Sequence, residues 1–267
     1  MTSFFVSYRQ SQIHYLQWGF GKEYLLCLHG FGESAASFAG LAEQLKEKYT
    51  IIALDMPLHG KTVWNEGLLC TITDIRDIIE KIPGIAGNSF FLAGFSMGGR
   101  VALGLYEEIP QRIRRLILLA PDGLKMNFWY WLATQTFYGN RLLRYFMDKP
   151  RIFFIGTRAL KKIRLINMGI YNYVHQYLKA EEKREQLYAI WTTMRKIRPD
   201  VGVIKTLIRN NNTQVLLIYG RYDRVIRPVT GMRLKKGIVP YCKLRVLHCG
   251  HRLLQEKNLP VIAGLMC

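Results

Sequence analysis

Apolar residues in this chain fall into short, nearly continuous runs separated by stretches of helical spacing. The runs occupy 25–29, 50–55, 89–93, 115–120, 214–219 and 243–247. Each is too short for a buried helix and ends in turn residues, with Leu, Ile and Val prominent in all but 89–93, where Phe90 and Phe91 take their place, which predicts strands buried on both faces. Ahead of them, 4–9 and 12–18 alternate apolar with polar and predict a hairpin at the start of the sheet. Between the runs the period changes to that of a helix. Phe38, Leu41, Ala42 and Leu45 share one face after a Ser34 or Ser37 cap, and 71–82 is amphipathic. Helical patterns also follow at 100–105 and 252–258. Strands alternating with helices predict an α/β architecture, a mostly parallel central sheet with helices on both faces.

From about 124 to 200 the alternation stops. Helical periodicity continues, with aromatic clusters at Phe128-Trp129-Tyr130-Trp131, Phe137-Tyr138, Tyr145-Phe146, Phe153-Phe154 and Tyr171–Tyr173, interleaved with Lys and Arg. This divides the chain into a core of 1–123 plus 201–267 and a helical insertion of 124–200. The aromatics exceed what a small helical unit buries, so some are expected to line a pocket. Trp129 and Trp131 are candidates for substrate contact.

The chemistry centres on Gly94-Phe95-Ser96-Met97-Gly98, which lies between the run at 89–93 and the helical pattern at 100–105. Strand, tight turn and helix put a serine at the apex with its hydroxyl exposed. A serine hydroxyl is a poor nucleophile at neutral pH and needs a base, which needs an orienting acid. Two later strand ends supply both types: Gly220-Arg221-Tyr222-Asp223 after 214–219, and His248-Cys249-Gly250-His251 after 243–247. The order Ser, Asp, His along the chain, with His29-Gly30-Phe31-Gly32 after the first buried strand, resembles the α/β-hydrolase family. The loop Asp55-Met56-Pro57-Leu58-His59-Gly60-Lys61-Thr62 resembles that family's D-x-P-G-H-G-x-S, with Leu58 for glycine and Thr62 for serine.

The resemblance implies a capped hydrolase core, the cap being 124–200. It implies Ser96 as nucleophile, Asp223 as acid and His251, in the family's G-H position, as base. His248 competes with His251 and is otherwise expected to be a structural histidine bonded to backbone. Asp122, followed by Gly123, is the alternative acid. The oxyanion needs two backbone N–H donors; the resemblance assigns them to Met97, next after the nucleophile, and Phe31. His29, His59 and Lys61 are expected to be scaffold. Phe95 and Arg100, beside the elbow, are further candidates for substrate binding. The chemistry calls for no metal and no cofactor.

Composition narrows the class. Hydrophobic residues make up 49% and charged residues 21% of 267, ordinary values for a globular protein. No apolar run spans a bilayer. The N-terminus lacks the basic-then-apolar order of a secretory signal. The five cysteines are odd in number and lack metal-ligand spacing, which together point to free thiols and a cytoplasmic location. The net charge of +19 is uneven: residues 1–121 balance, 122–200 carry +9 and 201–267 carry +10. Such asymmetry suits an anionic substrate or an anionic membrane surface, or is merely solvated. No nucleic-acid-binding module is present, so nucleic acid is not an expected partner.

The expected reaction is ester hydrolysis through an acyl-enzyme on a small substrate with an apolar part. Ser96-Met97-Gly98-Gly99-Arg100 also resembles the elbow of the family's menaquinone-pathway elimination enzymes, which act on multiply anionic substrates. Arg100, Arg141, Arg144, Arg151 and Arg158 fit that alternative. Carbon–carbon bond hydrolysis is a further alternative in the same fold. So is a non-enzymatic binding role, which an intact triad disfavours.

Overall fold

A computed structural model describes residues 1–125, 128–162 and 178–267. Eight strands form one sheet in the order β1-β2-β4-β3-β5-β6-β7-β8. They are β1 Thr2–Tyr8, β2 Ser11–Trp18, β3 Glu23–Leu28, β4 Tyr49–Leu54, β5 Phe90–Phe95, β6 Ile113–Leu119, β7 Gln214–Gly220 and β8 Cys242–Leu247. The β1–β2 and β2–β4 pairs are antiparallel and all pairs from β4 to β8 are parallel. Strand β4 is buried at every position and β3, β5, β6 and β7 over most of their length, as their apolar runs predict. Two expectations are corrected: the hairpin does not alternate, β1 being mostly exposed and β2 mostly buried, and β8 is not buried on both faces, because it is the edge strand and leaves Lys243, Arg245 and Val246 exposed.

Helices flank the sheet. In α1, Ala39–Leu45, the predicted face of Leu41, Ala42 and Leu45 is buried, with Phe38 in the preceding turn. Helix α2, Ile72–Ile79, begins in a capping box: Thr71 Oγ1 accepts the Asp74 amide, and Asp74 Oδ2 accepts the Thr71 amide. Helix α3, Met97–Glu108, starts immediately after Ser96, three residues before the sequence pattern becomes regular. The expected helix at 252–258 is a correction. That stretch is a turn and a short 3-10 segment, and the helix runs Leu259–Met266 instead. Pro260 is the reason, because proline is tolerated in the first helical turn and not in the interior.

The chain divides into two compact units. One comprises Met1–Glu66, Cys70–Lys125 and Lys196–Cys267; the other comprises Gly67–Leu69 and Met126–Arg195. Within the second unit, helices α4 Phe128–Gln135, α5 Phe137–Asp148, α6 Pro150–Lys162 and a helix over Glu181–Thr193 gather around Leu143, Met147 and Leu178. Phe146, Phe153, Phe154 and Trp191 pack against that cluster. The Arg184 guanidinium is buried there and donates to the carbonyls of Met147, Leu178 and Lys179. Tyr171 and Tyr173 lie outside the described residues, as does the Trp129 side chain.

Candidate active site

Ser96 sits at the carboxyl end of β5 with φ 52° and ψ −115°. That left-handed conformation is costly for any residue but glycine, on the order of 1–3 kcal/mol. The surroundings enforce it. The Ser96 amide donates to Leu119 O, and Ser96 O accepts the amides of Gly99 and Asp122. The turn is tight enough that a Cβ on Gly98 would lie 2.0 Å from Leu28 O, and one on Gly94 2.4 Å from Gly98 O. Only glycine fits at either place.

Ser96 follows β5, Asp223 follows β7 and His251 follows β8, so the carboxyl ends of neighbouring parallel strands bring the three together. His251 Nε2 lies 3.0 Å from Ser96 Oγ, and His251 Nδ1 lies 2.7 Å from Asp223 Oδ2. The Asp223 side chain is fully buried, and its Oδ1 accepts the amides of Val225 and Ile226 at 2.8 Å each. The Asp223 carboxylate thus bonds its own turn and the imidazole at once. A carboxylate accepts only, so Nδ1 carries the ring proton and Nε2 faces the serine as acceptor.

The competitors are placed elsewhere. His248 is exposed and packs edge-on against Tyr222, with ring centroids 6.2 Å apart. The expected backbone-bonded role for His248 is corrected accordingly: the side chain leaves the sheet edge for solvent. Asp122 Oδ1 accepts the neighbouring Gly123 amide, and its Oδ2 lies 3.7 Å from Arg100 Nε. Arg100 itself is buried. The Phe95 side chain is 3% exposed and its ring lies 5.3 Å from that of His251, forming a wall of the site. Trp131, 38% exposed, stacks on Phe128 at 6.1 Å within the second unit.

The loop after β3 is held from both sides. Gly30 N–H donates to Glu33 Oε2 at 3.3 Å, and Gly32 N–H donates to His59 Nε2 at 3.3 Å. Phe31 lies between them, its ring edge-on to His59. Met97 is the first residue of α3, where amides have no intrahelical acceptor. His29 donates from Nδ1 to Gly30 O and accepts the Met56 amide at Nε2, so it is neutral. Burial, reinforced by His59, holds its pKa well below the ordinary histidine value.

Two residues escaped the sequence reading. Glu33 closes the Gly30 turn and lines a cleft of about 150 Å³ with Phe95, Arg252 and Leu254. Burial raises its pKa above the ordinary carboxylate value. Its spacing of three from Gly30 was the available signal. His14 is buried in β2, with Nδ1 2.6 Å from Asp55 Oδ2, and Asp55 also accepts the amides of Ala35 and Lys61. Nothing in an alternating strand sequence marks such a residue.

Residues 23–257 match the alpha/beta hydrolase fold family. The chain belongs to that family. This α/β-hydrolase is 26% identical to the uncharacterized hydrolase YugF of Bacillus subtilis over 250 residues, covering 89% of this chain and 86% of the relative. It is 24% identical over 253 residues to a pimeloyl-[acyl-carrier protein] methyl ester esterase of Nitrosomonas europaea, covering 90% and 93%. It is also 26% identical over 263 residues to a 2-hydroxy-6-oxononadienedioate/2-hydroxy-6-oxononatrienedioate hydrolase of Escherichia coli, covering 90% and 84%. The protein is an enzyme of the hydrolase class. Among the described residues, no cluster of His, Cys, Asp and Glu could hold a metal ion, and no helix is long and apolar enough to cross a membrane. Cys27, Cys70, Cys242 and Cys249 are buried free thiols and Cys267 is an exposed one.

Proposed function

We propose that this α/β-hydrolase cleaves carboxylic esters through an acyl-enzyme on Ser96. The observation carrying this reading is the continuous hydrogen-bond chain from Asp223 through His251 to a serine held in a strained turn. Ser96 Oγ attacks the ester carbonyl as His251 Nε2 takes its proton. Asp223 holds the imidazole in the right tautomer and stabilises its charged form. The amides of Met97 and Phe31 are the donors proposed for the oxyanion, with Gly30 and Gly32 shaping the loop. His251 then protonates the leaving alcohol, and a water repeats the sequence to release the acid. The buried Phe95 ring beside His251 favours an apolar group on the substrate.

The similarity to the methyl ester esterase supports this reaction. A second reading, hydrolysis of a carbon–carbon bond next to a ketone, is favoured by the similarity to the dienedioate hydrolase. It uses the same triad. The elimination reading has less support, because Arg100 is already engaged with Asp122.

The test is turnover of p-nitrophenyl esters of graded chain length, beside a 2-hydroxy-6-oxo-dienedioate followed by loss of its conjugated absorbance. Ester turnover that outpaces the dienedioate is expected. Cleavage of the dienedioate with no ester turnover transfers the proposal to the second reading.

A further inference from the structure

Helix α5 buries one apolar face and carries further apolar side chains, interleaved with Arg141, on the opposite face. Leu143 and Met147 point into the core of the second unit, while Tyr138, Leu142 and Tyr145 lie a helical turn apart on the outer face. Their exposures are large: 83% for Tyr138 and 49% for Leu142, with Phe137 at the helix start at 72%. Single exposed apolar side chains are ordinary, but several grouped on one helix face form a patch of the kind that marks an interaction site. The next helix repeats the arrangement. Phe153 and Phe154 turn inward, and Ile152 and Ile155 turn outward, Ile155 with 66% exposure.

The cations on these outer faces are as regular as the apolar groups. Arg141, Lys149, Arg151 and Arg158 are all exposed. Lys149 Nζ lies 5.3 Å from the Tyr145 ring. The one carboxylate on the outer stretch, Asp148, is paired with Arg144 at 3.1 Å, and Arg144 also binds Glu185. Tyrosine, phenylalanine and branched aliphatics flanked by arginine and lysine match the depth profile of a lipid interface, with apolar groups below and cations at headgroup level. No shape-complementary partner is needed for such a surface, and exposed apolar patches of this kind mark interaction sites.

We infer that the outer faces of α5 and α6 form a docking surface for an anionic lipid bilayer. The inference is independent of the triad. Attachment of this type is peripheral and reversible, driven jointly by apolar burial and by attraction to acidic headgroups.

The experiment is co-sedimentation of the full chain with vesicles of phosphatidylcholine alone and of phosphatidylcholine with phosphatidylglycerol. Binding is expected only to the acidic vesicles, and raising salt from 0.1 M to 0.5 M should release it. The variant Tyr138→Ser/Leu142→Ser should lose binding while keeping the wild-type melting temperature. The variant Arg141→Gln/Arg151→Gln should weaken partitioning by about fivefold per charge removed. The proposal is overturned if neither vesicle binds, if both bind equally, or if both folded variants bind like wild type. Concentration-dependent self-association without lipid, abolished by Tyr138→Ser/Leu142→Ser, would instead assign the face to a second copy of the chain. Ser96→Ala should bind vesicles as wild type does, so loss of catalysis and loss of docking are read separately.

Discussion

Asp223 Oδ2 and His251 Nδ1 are 2.7 Å apart across 28 residues of chain, and the carboxylate that makes this contact has no exposed side-chain surface. Its second oxygen is saturated by the Val225 and Ile226 amides, so the group is locked in one orientation. In Asp223→Asn the amide oxygen can still accept those two amides, while its NH2 faces His251 and forces the wrong tautomer. The expected result is a fall in kcat of about 10⁴-fold with little change in melting temperature. Asp122→Asn should leave kcat within a few-fold of wild type. The reverse pattern in steady-state kinetics would move the acid to Asp122.

The same logic separates the two histidines on the β8 loop. His251→Ala should abolish turnover by several orders of magnitude, because members of a catalytic unit fail together. His248→Ala removes an exposed ring that touches Tyr222, and should change kcat less than twofold and stability by under about 0.5 kcal/mol. Turnover that survives His251→Ala and fails in His248→Ala would reassign the base.

Acid sensitivity should come partly from His29. Folded His29 is buried and stays neutral, while the unfolded chain protonates it around its ordinary value near 6.5. The unfolded state therefore binds more protons below that value, and stability is full above about pH 6.5 and falls as pH drops. Between pH 7 and pH 5 this single group costs about 2 kcal/mol. His59, lowered by burial as well, acts in the same direction; Glu33, raised by burial, opposes it. Thermal unfolding from pH 7.5 to 5 should show a shallower decline for His29→Gln than for wild type. Identical slopes would mean that His29 is protonated in the folded state or exposed.

The parts of this molecule written in local pattern were legible in advance. Five buried strands, β3 to β7, and the elbow follow from short apolar runs and from Gly94 and Gly98, because burial on both faces and a forbidden Cβ leave a direct mark on composition. The run at 243–247 was legible as a strand but not as an edge strand, and β8 leaves Lys243, Arg245 and Val246 exposed. Leu58 was visible as a departure from the D-x-P-G-H-G loop, and its φ of 66° gives the reason glycine is usual there. The start of α3 at Met97 was not legible, since Gly98 and Gly99 are poor helix formers and tertiary contacts overrule them. Glu33 and the His14–Asp55 pair were missed because their partners lie in other elements or across a turn. The aromatic excess of 124–200 was evident, but its destination was not. Phe146, Phe153 and Phe154 pack the unit's own core, whereas Phe137 and Tyr138 face solvent.

The most direct measurement is covalent labelling of the full chain with a fluorophosphonate, followed by peptide mass spectrometry. Stoichiometric modification of one residue, Ser96, is expected, with activity lost in proportion to labelling. Ser96→Ala should give no adduct and Asp223→Asn a much slower one. The cysteines offer an internal contrast. Burial raises the thiols of Cys27, Cys70, Cys242 and Cys249, so a maleimide should reach Cys267 alone and leave turnover intact. Labelling that persists unchanged in Ser96→Ala, or turnover that survives complete modification of Ser96, would contradict the assignment of this serine as the nucleophile.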